Sequence, residues 1–566
     1  MPINTKDYLA MTRRGLLVSA AAISAALMAG GASATAAQAE AVLTMHIEEQ
    51  TSWVQNFNPF DLGGRRQSTM DFIYEPLVIF NPDDGGKPVF RLATDFKFSD
   101  DMTSITYTMR PDVKWSDGQP LTAADVKYTL DLMLKNPALD TAGVGETVAS
   151  VEAPSPTEVV IHLKGVNSQF PESLADLAVV PEHIWKDVSD PVAFKNEKPV
   201  GSGPMTEIRR FTPQVYEQCR NPNYWDAASL HVDCLKLPQI AGNDQMLALL
   251  PEGTLDWIGS FLPEIDKTFV ALDPEHNGYW QPPAETAAFQ MNLKSSDEAK
   301  NEAFNDLNFR RAFSLAMDRT AMVDIASFGY PKVNLHASGL PPRFEAWRNP
   351  QAEGAKDEWM AFDVEKANKL LDEAGYAKGD DGMRKTKSGK PLAFTIIIPN
   401  GWTDWIDTAQ IAAEGLRAAG INASVATPEY EQWQKQLLEG SFDVAFQSRA
   451  DGSTPFRGYY QSMSTAFAGR ITTAPSRYSN PKLDALFDAY RKVTTDEEHK
   501  KLFNDIQIIV ADDLPMVPIF NGPTWFQYST KRFTGWVTDK EPVMNPENHD
   551  NNRMRLVHLL RLKPVE

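Results

Sequence analysis

Phe394-Thr395-Ile396-Ile397-Ile398-Pro399-Asn400-Gly401-Trp402-Thr403-Asp404-Trp405 opens with a short β-branched run that a proline stops, and a turn follows. Beyond it, apolar residues from Ile411 to Ala419 recur at helical spacing, and Gly420 ends them. Ile421-Asn422-Ala423-Ser424-Val425 reads as a second strand. Strand, helix and strand in that order predict a parallel βαβ unit, to which Phe442-Asp443-Val444-Ala445-Phe446 adds a third strand.

The same reading extends outward. Phe309 to Met317 and Val364 to Leu371 show helical spacing, and Gly375 stops the second helix. After about residue 290 the chain is therefore expected to be α/β. Before it, hairpins and helices mix. Thr106-Tyr107-Thr108-Met109 and Val159-Val160-Ile161-His162-Leu163 alternate as half-buried strands do. Thr122 is an expected N-cap, and Asp125 three residues on completes a capping box. The fold class expected is α/β in a mixed α+β arrangement.

Composition excludes several functions. Lys plus Arg is 55 against 75 Asp plus Glu, a net charge of −20, which disfavours binding to nucleic acid or anionic lipid. Two cysteines in 566 residues exclude a disulfide scaffold and a four-thiolate zinc site. Cys219 and Cys234 flank the turn-rich Arg220-Asn221-Pro222-Asn223-Tyr224-Trp225, with strand-like residues outside. A hairpin would bring the sulfurs together, so this pair is a candidate disulfide; two buried thiols are the alternative.

Residues 1–39 read as an export signal. Arg13-Arg14-Gly15-Leu16-Leu17 opens a stretch without charge, and Ala37-Gln38-Ala39 is an A-x-A cleavage site before Glu40. The paired arginines resemble a twin-arginine signal, although Thr12 and Val18 depart from the fuller motif and leave the Sec route open. No cysteine near the cleavage site offers a lipid anchor. A periplasmic location is expected.

Catalytic motifs are missing from the sequence. None of the nine histidines sits in H-E-x-x-H, Gly201-Ser202-Gly203-Pro204 is no nucleophile elbow, and Lys387-Ser388-Gly389-Lys390 is a basic turn. Asp83-Asp84, Asp100-Asp101 and Asp380-Asp381 lack calcium-loop spacing and read as solvated turns. No metal or cofactor is expected, and the chain is expected not to be an enzyme. A distant pair of carboxylates leaves no local mark, so an exported glycan hydrolase stays as an alternative. Aromatic residues carry more information. Thirteen tryptophans include Trp53, Trp257, Trp402, Trp405 and Trp525 in loop-like contexts. Trp402 and Trp405 follow the carboxyl end of a predicted parallel strand, where open α/β sheets place ligands.

The run from Thr106 through Lys114-Trp115-Ser116-Asp117-Gly118-Gln119-Pro120-Leu121 to Val126 resembles the signature of the family 5 extracellular solute-binding proteins of ABC importers. Further stretches resembling that family follow in order. They are Pro199 to Pro204, Asn221 to Trp225, Phe309 to Arg319, Ala367 to Tyr376, Tyr478 to Asp484 and Asp513 to Pro518. The resemblance implies two lobes joined by a hinge, with the solute buried between them. Lobe I would take residues 40–290, with an extra subdomain at about 91–199; lobe II would take 291–515, and 516–566 would return to lobe I. It also implies a permease and ATPase subunits as partners, and a monomer. Most of these motifs read as structural; Gly201 and Gly203, for instance, permit backbone shapes that other residues resist.

Other stretches bear on the solute. Trp53, Asn56 and Asn58 after the first mature strand, Trp257 late in lobe I, and Trp402, Asp404 and Trp405 in lobe II resemble the branch that binds cello-, manno- or galacto-oligosaccharides. Gln447, Arg449, Asn521 and Trp525 complete the expected ligand-binding set. Tryptophan faces would stack on sugar rings, and Asn, Gln and Asp would bond hydroxyl pairs. Asp404 has a second reading as a helix N-cap. Asp404 or Asp451 would equally suit the N-terminus of a peptide, so a peptide importer remains the alternative.

Overall fold

The computed structural model describes residues 40–61, 66–140, 143–175, 177–449, 452–549 and 552–566. The expected export signal and Asp451 lie outside the described residues. Two large sheets organise the chain from Ala41 onward.

The first sheet has seven strands. At its centre β1 (Val42–His46) runs parallel to both Cys234–Pro238 and Trp257–Ile258. On one side the ladder continues antiparallel through Val215–Arg220 and Met205–Thr212; on the other it passes to Gln527–Ser529 and Asn277–Tyr279. β1 is buried on both faces, as a central parallel strand requires. Cys219 stands opposite Cys234 in the antiparallel register, and the two are joined by a disulfide. Helix α1 (Asn243–Leu249) follows the strand that ends at Pro238.

Six strands make the second sheet. Its elements in chain order are β2 (Pro283–Met291), β3 (Ala393–Ile397), α2 (Thr403–Ala418), β4 (Asn422–Ala426), α3 (Tyr430–Glu439), β5 (Val444–Ser448), α4 (Pro455–Met463) and β6 (Val517–Pro523). The spatial order is Lys332–Val333, β6, β2, β5, β3, β4. β3 is parallel to both β4 and β5, so the predicted βαβ unit and its third strand are present. α2 starts eight residues before the apolar stretch that signals it, because its first turns carry the cleft residues described below.

Inserted in the sequence between β1 and the later strands of the first sheet, a four-stranded antiparallel sheet forms from Ala93–Phe98, Ser104–Met109, Glu158–Leu163 and Val148–Ser155. Helix Ala123–Lys135 packs on it, and its Thr122–Asp125 capping box is formed as predicted. Trp115 is fully buried there, and Gly118 takes the left-handed turn conformation (φ 89°). Gly201 and Gly203 serve a different purpose from the one expected. Neither has a positive φ; a Cβ on them would meet the carbonyl oxygens of Ile73 and Phe72 at 2.2 and 2.4 Å. The glycines permit close packing of two backbones.

Sheet membership changes between Tyr279 and Pro283, and again between Pro523 and Gln527. β2 and β6 belong wholly to the second sheet.

Candidate functional site

A cleft of about 530 Å³ lies where the two sheets face each other. It collects the carboxyl ends of two sets of three parallel strands. From the first sheet, β1 delivers Glu48 and Glu49, the Cys234–Pro238 strand delivers Asn243, and Trp257–Ile258 delivers Gly259, Ser260 and Phe261. From the second, β3 delivers Trp402, Asp404 and Trp405, β4 delivers Tyr430, and β5 delivers Gln447, Ser448 and Arg449. Backbone groups at parallel strand ends are not consumed by the ladder, and the following helices start there, so open α/β sheets bind ligands at this edge.

The two sets touch at a pair of glycines. Asn243 N donates to Gly401 O at 3.1 Å, and a Cβ on Gly242 would lie 2.9 Å from Gly401 Cα. Asn243 itself spans the junction. With its amide assigned so that both ends find partners, its side chain donates to Glu49 Oε1 at 3.1 Å and accepts from Thr403 Oγ1 at 3.0 Å. Ser260 Oγ also donates to Glu49.

Glu49 and Asp404 form an acidic pole. Burial raises the Glu49 carboxyl to about 7, with the Ser260 hydrogen bond opposing. Burial, then the nearby Glu49 charge, raises Asp404 to about 7 as well. Asp404 occupies the first turn of α2, whose N-cap is Trp402, so the capping role does not apply. A second polar cluster joins Glu285 on β2 to Arg343 and to Arg449 Nη2 (3.2 Å); the Arg449 guanidinium also lies 4.3 Å from the centre of the Tyr459 ring.

Aromatic rings line the same cleft. Trp402 stacks on Tyr430 (5.7 Å between centroids, 30°) and meets Trp405 edge-on at 4.9 Å. Trp433 stacks on Tyr430 at 6.0 Å, and Trp405 meets Phe446 edge-on at 4.9 Å. Trp525, also in the lining, contacts Phe261 at 5.5 Å. Trp402, Trp405, Tyr430 and Trp525 are half-buried, each with part of its surface open.

Of the residues singled out in the sequence, Trp402, Asp404, Trp405, Gln447, Arg449 and Trp525 line this cleft. The others do not, and each has a structural use. Trp53 is a core residue that donates to Leu237 O and meets Tyr216 edge-on. Asn56 and Asn58 hold their own loop, bonding Asp61 and Pro191 O. Trp257 is fully buried against Trp536 and His558. Asn521 donates to Thr286 Oγ1. Glu49, Asn243, Ser260, Glu285, Arg343, Tyr430 and Trp433 escaped the sequence reading. Glu49 carried a usable signal, since it follows β1 just as Trp402 follows β3. Outside the cleft lining, His336, Glu353 and Asp357 bring donor atoms within 4.8 Å of one another. Arg348 and the Ala337 amide already bind two of these three.

Comparison with known proteins decides the family. The model of the bacterial extracellular solute-binding proteins, family 5 Middle, matches residues 87–469. The chain belongs to this family. A putative ABC transporter peptide-binding protein of Brucella ovis is 28% identical over 454 residues, covering 77% of this chain and 80% of that one. Among solved structures, the mannohexaose-bound periplasmic oligopeptide-binding protein of Thermotoga maritima shares the fold at a TM-score of 0.83. It is 24% identical and covers 93% of this chain and 99% of that one. The Bacillus subtilis oligopeptide-binding protein AppA, solved with a nonapeptide, gives a TM-score of 0.77 at 20% identity, covering 93% and 99%. The two-lobed fold of the family 5 binding proteins is thus the fold of this chain. Among the described residues no helix is long and apolar enough to cross a membrane.

Proposed function

We propose that this protein is the periplasmic solute-binding component of an ABC importer, capturing an oligosaccharide between its lobes for delivery to a membrane permease. The observation that carries the solute class is the aromatic wall. Half-buried Trp402, Trp405 and Tyr430 line a cleft that also holds carboxylates, amides and guanidinium groups. Flat rings suit the apolar faces of pyranoses, and the polar groups suit their hydroxyls. The mannohexaose in the Thermotoga protein supports the reading.

The free protein would be open. Solute would dock on one lobe, and closure would complete its contacts on the other, at a hinge formed by the segments 280–283 and 523–527. Only a solute with higher affinity for the closed state shifts that equilibrium. The energy of transport would come from the ATPase subunits, and no bond in the solute would be cleaved.

A second reading, a peptide as solute, is favoured by the buried Glu49–Asp404 pair, which would hold a terminal ammonium, and by the Brucella relative named as peptide-binding. Thermal unfolding of the mature protein against oligosaccharides and di- to pentapeptides separates the two. A solute at a hundred times its dissociation constant stabilises the folded state by about 2.7 kcal/mol. A shift with cello-, manno- or galacto-oligosaccharides alone supports the proposal. A shift with peptides alone replaces it, and turnover of an oligosaccharide would make the chain a hydrolase.

A further inference from the structure

We infer that a second cavity, of about 250 Å³, is a distal subsite of the same cleft and takes the far end of a long oligosaccharide. This rests on the oligosaccharide reading above. The cavity lies between the part of the chain that carries the four-stranded sheet and the helices that follow β5.

Its continuity with the main cleft is the first argument. Arg457 and Gln461, one turn apart on α4, line both cavities, so one helix face is their shared wall. At the start of that helix, Glu172 bonds Ser453 Oγ and Thr454 Oγ1, forming a polar bar between the two spaces. Ser453 faces the main cleft and Glu172 the second cavity.

The lining is the second argument. Empty cavities are apolar, whereas a polar cavity holds water that a hydroxylated ligand can replace. This one is walled by rings whose faces are taken up by one another and by Arg491, and what it presents is charged and polar, as suits the hydroxyls of a sugar. Phe456 and Tyr460 stack with centroids 5.5 Å apart at 10°, and Phe467 meets Tyr460 edge-on at 5.3 Å. Arg491 donates to Tyr460 Oη at 3.2 Å, and Arg457 and Arg470 share the wall with Glu146 and Glu172. Water held there by such groups is displaced at little cost by hydroxyls that renew the same bonds.

The third argument is placement. Ser168 N donates to Arg491 O at 2.8 Å, and Ser168 Oγ lies 3.3 Å from His499 Nε2. These bonds join the two parts of the chain that form the cavity walls. With the walls held together by these bonds, a solute enters the subsite only when it is long enough to reach past the Glu172 bar. The site selects for length.

Titration calorimetry with the tri- and hexasaccharides of the cello and manno series tests this. Wild-type protein should bind a hexasaccharide at least tenfold more tightly than the matching trisaccharide. Ala466→Trp, which fills the cavity from the α4 side, should abolish that advantage and leave trisaccharide affinity unchanged. Ala138→Trp should do the same from the opposite wall, and thermal unfolding confirms that both variants fold. Equal wild-type affinities for the two lengths, or a length advantage that survives both variants, overturns the subsite. If wild-type protein binds neither length, the oligosaccharide reading itself falls and takes the subsite with it.

Discussion

Replacing Glu49 by Gln removes one of two carboxyls that meet in the cleft, and the consequence for stability is calculable. Glu49 moves from 4.5 to about 7 on folding and Asp404 from 3.8 to about 7. A carboxyl whose folded value is raised binds its proton more tightly in the folded state. Its favourable contribution is therefore fully present below the unfolded value and is lost as pH rises through the folded one. The pair favours folding in acid and opposes it above about pH 7. Each tenfold difference in proton affinity is worth about 1.4 kcal/mol, so Glu49 alone accounts for about 3 kcal/mol across that window. Glu49→Gln should gain about 2–3 kcal/mol on wild type between pH 5 and pH 8, on top of any constant offset from changed hydrogen bonds. Urea unfolding followed by tryptophan fluorescence at half-unit pH steps measures this. A difference between variant and wild type that stays flat from pH 5 to pH 8 would refute the reasoning. Asp404→Asn provides the control from the other lobe and should show the same sign.

Trp402→Ala should weaken oligosaccharide binding about tenfold with little change in melting temperature, because its ring is stacked in the cleft wall and not in the core. Trp257→Ala should do the reverse; the side chain is fully buried, so calorimetry should show about 3–5 kcal/mol lost from folding and an unchanged affinity per folded molecule. Gly242→Ala leaves an extended backbone unstrained but forces a Cβ against Gly401, so it should weaken solute binding and keep the solute-bound protein as open by X-ray scattering as the free one.

Much of the second sheet was readable because its physics is local. A β-branched run with a proline stop, a helix with a glycine stop and a second strand specify a parallel unit without help from distant residues, and β3, α2 and β4 follow it. The cleft residues Trp402, Asp404 and Trp405 were legible for the same reason, since strand ends of parallel units point to ligands. What stayed hidden depended on distant contacts. Trp53 and Trp257 look as exposed in sequence as Trp402, and only the packing of Tyr216 or of Trp536 and His558 against them buries them. Asn521 is drawn inward by Thr286, more than two hundred residues away. Glu49 becomes part of the site only when Asp404, on the other lobe, comes beside it. The tight approach of Gly242 to Gly401 is equally invisible until the two sheets are in place.

Isothermal titration of residues 40–566 with mannohexaose, cellohexaose and a nonapeptide tests the central claim most directly. Saturable binding of a hexasaccharide at one per chain, with no heat from the nonapeptide, is the predicted result. Binding of the nonapeptide alone would contradict it.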